Sequence, residues 1–110
     1  MRMAHFEDYE LAQAVHADLM KLRSRPTTPT VDEIRAIASK AGITSTAPRS
    51  SRKAVDDARH DAWIAISKLA EVHADNAAAG AAHTPGKIVE TSPFWAMAID
   101  LAQGWVRAAE

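Results

Sequence analysis

The sequence predicts an all-α protein: a compact bundle of about four helices with a long central third helix. Three observations lead there. Val55, Ala58, Ala62, Ala65, Leu69 and Val72 recur at intervals of three and four, which keeps their side chains on one helical face. Trp63, Ile66, Ala70 and His73 form a second stripe beside the first. A surface helix needs only one such stripe, so two adjacent stripes imply packing on more than one side. Roughly a fifth of the chain is alanine, well above ordinary globular usage. Alanine is the strongest helix former because it has no side-chain entropy to lose. β-branched residues are sparse, and no strand-like alternation persists.

The first helix is expected from about Ala4 to Arg23. Ala12, Val15, Leu19 and Leu22 form its apolar stripe, with Leu11 and Met20 beside it. Glu7, Asp8 and Glu10 come early and Lys21, Arg23 and Arg25 late, an order that complements the helix dipole. Pro26 and Pro29 stop it, since proline lacks an amide proton and clashes with the preceding turn.

Thr30 is positioned to cap a short second helix from Val31 to Ala41. Glu33 then occupies the reciprocal position of a capping box. Ile34, Ile37 and Ala38 give this helix its apolar face, and Gly42 suits the residue just past its end. The stretch from Ile43 to Ser50 is polar and contains Pro48, which reads as a loop. The third helix follows from near Ser51 to about Ala82, with an alanine-rich last third, and Thr84-Pro85-Gly86 ends it. Lys87 to Thr91 is a linker anchored by Ile88 and Val89. Ser92 as cap and Pro93 at the first helical position open a fourth helix that runs to about Ala108. Phe94, Met97, Ala98, Leu101, Ala102, Trp105 and Val106 supply its face. The large groups expected to fill the core are Phe6, Leu11, Leu19, Leu22, Trp63, Ile66, Leu69, Phe94, Trp95, Leu101 and Trp105.

The 110 residues leave room for one domain, 1–110, with a core of its own. The absence of cysteine excludes disulfides and thiolate metal sites. No apolar leader and no membrane-length run is present, so a cytoplasmic protein is expected. Thirteen basic and fourteen acidic residues give a net charge of −1. That balance disfavours a surface devoted wholly to nucleic acid but allows a local basic patch.

Five constellations bear on function. Ala38-Ser39-Lys40-Ala41-Gly42-Ile43-Thr44 matches the centre of a helix-turn-helix, with a small residue at the crossing, a turn glycine, an apolar residue and a hydroxyl. Pro48 then falls inside the would-be recognition helix, where proline is costly. Arg49, Ser50, Ser51, Arg52 and Lys53 crowd the start of the third helix. Free amide protons there would meet an anion with two hydroxyls and up to three positive charges beside them. A solvated loop neutralised by Asp56 and Asp57 accounts for the same residues. The five histidines lack the three-or-four spacing that puts two ligands on one face, so no metal site is expected. His73, on an apolar stripe, reads as a core or interface histidine with one hydrogen bond. No glycine-rich phosphate loop, nucleophile elbow or cysteine nucleophile is present. Arg59-His60-Asp61 contains acid–base types, but consecutive helical residues point in different directions.

Phe94, Trp95 and Trp105 are the candidate interface residues. Consecutive Phe94 and Trp95 cannot both face one small core, so Trp95 is expected to anchor a partner, although a wide face sealed by the first helix would also hold both. These readings converge on a non-enzymatic accessory or regulatory protein, without cofactor, of a bacterial or phage type. It would dock helix faces on itself, as a homodimer, or on another protein. The alternative is a nucleic-acid-binding regulator that uses residues 44–53.

Overall fold

The structure, a computed structural model, describes the backbone of residues 2–43, 52–81 and 88–110 and the side chains of residues 8–42, 52–80 and 88–110. Four helices occupy them: α1 (Arg2–Ser24), α2 (Val31–Ile43), α3 (Lys53–Ala81) and α4 (Ser92–Ala109). The bundle of the sequence reading is present, and α3 is the longest helix at 29 residues.

Paired contacts fix the direction of each neighbour. Lys40 Nζ meets Asp18 at 2.6 Å while Glu33 meets Arg25 at 2.6 Å, so α1 and α2 are antiparallel. Pro29 lies at His73 and Gly42 at Trp63, so α2 and α3 are antiparallel too. Asn76 lies at Val89, and the Arg52 guanidinium donates to the Glu110 carbonyl at 3.3 Å, which sets α4 antiparallel to α3. α4 closes the ring against α1. The core sits inside this ring, around Leu19, Ile34, Ile66, Leu69 and Trp105. Among the described residues, no helix is long and apolar enough to cross a membrane. Phe6 lies outside the described side chains.

α2 begins as its sequence predicts. The Glu33 amide donates to the Thr30 hydroxyl at 3.2 Å, and the Thr30 amide donates to Glu33 Oε1 at 2.9 Å. Arg25 then grips the same carboxylate through both terminal nitrogens at 2.6 Å each. Hydrogen bonding to Arg25, then to the Thr30 amide, lowers the Glu33 pKa to about 2. A carboxylate held below its unfolded value stabilises the fold above the ordinary carboxylate range and stops doing so as pH falls toward 2. Glu33→Gln will therefore lower the denaturation midpoint at about pH 6 and have little effect at about pH 2. An equal loss at both values would show that the Glu33 charge contributes nothing.

Four local expectations are corrected. Gly42 does not end α2; the helix continues through it to Ile43. A Cβ at Gly42 would stand 2.7 Å from Trp63 Nε1, so the glycine is a point of close approach between α2 and α3. α1 begins at Arg2, and no acidic residue lies in its first turn. The dipole effect fades within that turn, so Asp8 and Glu10 do little for it. Thr91, not Ser92, is the cap of α4, and its side chain makes no capping bond. The Glu90 carboxylate serves instead, accepting from the Ser92 amide at 3.0 Å. Finally, the buried stripe of α4 is Trp95, Ala98, Ala102, Trp105 and Ala109, and Met97 is half exposed. The alanines leave room for the two indoles, so both turn inward.

Candidate interaction face

A surface groove lies along the seam between α2 and α3. α2 has 13 residues and α3 has 29, about 20 and 44 Å at 1.5 Å per residue. α2 therefore meets α3 only between about Trp63 and His73. Along that stretch the outer seam opens into a groove of about 550 Å3. Its floor is small: Ala38 of α2, with Ala70 and Ala74 of α3. Trp63 walls one end, half-buried because its indole rests on Gly42. The His60 ring lies tilted against it, with centroids 5.6 Å apart. Ser39 and Ser67 add hydroxyls, and Arg35, Glu71 and Asp75 complete the lining. Lys68 binds Glu71 at 3.1 Å, and Arg35 lies 3.9 Å from Asp32.

The seam between α1 and α2 is the smaller at about 300 Å3. Four of its charges pair as Arg25–Glu33 and Lys40–Asp18, and Lys21 also lines it.

The sequence-predicted sites fall elsewhere. Of the basic group, Arg49, Ser50 and Ser51 lie outside the described residues. Arg52 and Lys53 are exposed beside the start of α3. Lys53 donates to Asp57 at 2.9 Å, which raises its pKa, and Arg52 reaches the Glu110 carbonyl. Of the aromatic group, Phe94 is partly buried, Trp95 is 6% exposed and Trp105 is 0% exposed. The expectation that Trp95 stands free to anchor a partner is not met in this chain, because the core takes it. His73 makes the single hydrogen bond expected of it. Its Nε2 donates to the Pro29 carbonyl at 2.7 Å, so that nitrogen carries the proton.

The burial of Arg59 is not among the expectations drawn from the sequence. It is 2% exposed and is the buried charge among the described residues. Its Nη2 lies 3.9 Å from Asp56, and its Nη1 is buried without a hydrogen-bond partner. The pairings of Arg52 with Glu110 and Asn76 with Val89 place Arg59 within about one turn of Trp105 along the bundle. The Trp105 indole N–H is also buried and unpartnered. A signal was available: residue 59 falls four after Val55 and three before Ala62, in the phase of the buried stripe.

Among the described residues, no three His, Asp or Glu side chains gather closely enough to share a metal ion. No family model, curated protein or solved structure matches the chain.

Proposed function

We propose that this chain is a non-enzymatic helical interaction protein, an accessory or regulatory factor. It acts by docking its α2–α3 face on another protein surface, either a second copy of itself or a different protein. The groove along α2 and α3 carries this reading. It combines an indole at one end, a floor of small residues and a mixed-charge rim over one continuous strip. A half-buried tryptophan on a preformed concavity is a typical anchor of protein recognition. Alanine and serine floors let a partner backbone come close.

A photo-reactive amino acid at Ser39, which is exposed on the groove, tests the proposal. The same group at Arg23, exposed on α1, is the control. In extract from the native host or in concentrated protein, Ser39 will yield discrete protein adducts and Arg23 will not. No adduct from Ser39, or the same adducts from both sites, would overturn the reading.

A further inference from the structure

We infer that α4 carries a self-association face: its outer strip packs antiparallel on the same strip of a second copy, about a two-fold axis crossing α4 between residues 102 and 103. The inference goes beyond the docking reading above and uses another surface, since α4 lies across the ring from α2. α4 is apolar over more of its surface than the core uses. Its buried stripe is Trp95, Ala98, Ala102, Trp105 and Ala109. Beside that stripe run Phe94, Met97, Leu101, Gly104 and Ala108, at alternate intervals of three and four, the spacing of a helix seam that packs on another helix. Phe94, Leu101 and Ala108 are only partly buried, and Met97 and Gly104 are exposed. Glycine within a helix costs stability relative to alanine. A Cβ at Gly104 would meet nothing within 4 Å, so packing inside this chain does not call for a glycine there. A second helix lying close over the strip does. Met97 and Leu101 give one end of the strip its bulk, and Gly104 and Ala108 leave room at the other. An antiparallel copy sets Met97 over Ala108 and Leu101 over Gly104. In each pair a large side chain faces a small one, so the strip is complementary to its own inversion, as an isologous contact requires.

Charge selects the same partner. Asp100 and Arg107 are the two charged side chains of α4. Both are exposed, and neither has an ion-pair partner among the described residues. They stand two turns apart, which puts them on one edge of the strip. Inversion about the same axis brings Asp100 of each copy to within about half a helical turn of Arg107 of the other. The pair of copies thus forms two ion pairs of opposite sense along one edge. A polyanion or a uniformly basic surface would satisfy one of these two groups and oppose the other.

Sedimentation of the full chain tests this. The parent chain will sediment as a dimer at micromolar concentration. Gly104→Leu puts bulk where Leu101 of the other copy lies, and it replaces glycine by a strong helix former. It will weaken assembly about a hundredfold, the scale of overpacking at two symmetric sites, with no loss of helical circular dichroism. Asp100→Arg will weaken assembly about tenfold, the scale of two exposed ion pairs turned to like charges. Asp100→Arg combined with Arg107→Asp will recover most of that loss, which no effect on the fold of the single chain would do. Ser39→Arg, on the α2–α3 groove, will leave the dimer intact. A monomeric parent chain overturns the proposal and leaves the docking reading to its own cross-linking test. A dimer that survives both Gly104→Leu and Asp100→Arg, one that the double reversal fails to restore, or one that Ser39→Arg dissociates overturns it as well.

Discussion

Trp105→Ala will destabilise the protein by about 3–5 kcal/mol, the range for truncating a fully buried aromatic side chain. Trp105 is the largest side chain with no exposure, and it lies on α4 between Ala102 and Ala109. Those neighbours are too short to collapse into the space an indole leaves. The cavity term therefore adds to the lost transfer free energy instead of being relaxed away. Domains of this size are stable by only about 5–15 kcal/mol, so the variant will be close to unfolding at physiological temperature. Urea denaturation followed by circular dichroism measures the change. A loss below about 1 kcal/mol would mean that the α3–α4 packing does not hold the bundle together.

Arg59→Met will stabilise the protein by about 1–4 kcal/mol, as replacement of buried ionic groups by well-packed apolar ones often does. The guanidinium is shielded from water, its nearest carboxylate lies at 3.9 Å, and one of its nitrogens has no partner. An ion in that position has lost its hydration without a close pair to offset the loss. Methionine has a similar length and adapts to irregular space. It also removes one of two unpartnered donors from the core level shared with Trp105. Arg59→Ala will not give the same gain, because it leaves a void. If Arg59→Met instead lowers the urea midpoint, the guanidinium has a favourable role that this geometry does not account for.

The helices were legible in the sequence because each carries its own punctuation. Thr30 and Glu33 announce α2, Pro26 and Pro29 close off α1, and the double stripe of α3 marks it as packed on two sides. Residue type alone misleads about helical phase. Met97 is large and apolar yet half exposed, because the buried Trp95-Ala98-Ala102-Trp105 series holds the three-and-four spacing, while Phe94 packs partly buried against the core. The charge of Arg59 hides that it has the phase of the buried Val55 and Ala62 in α3. Gly42 has the residue type of a helix terminus, and only the approach of Trp63 explains its place inside α2. The groove itself was not legible. It lies where α2 and α3 overlap and is lined by side chains of both helices, and no single residue encodes that pairing.

The turn of α3 from His73 to Asn76 has a wider consequence. His73 holds the Pro29 carbonyl ahead of α2, and Asn76 binds both the N–H and the C=O of Val89 at 2.8 Å each, ahead of α4. Alanine-lined helices present shallow ridges and grooves, so they interlock weakly along their axes. In such a core, axial slip by one helical turn would keep much of the apolar contact. It would also carry the Pro29 and Val89 carbonyls about 5.4 Å from their partners. Two polar ties on one turn thus give an alanine-rich bundle the uniqueness of alignment that its apolar packing supplies only in part.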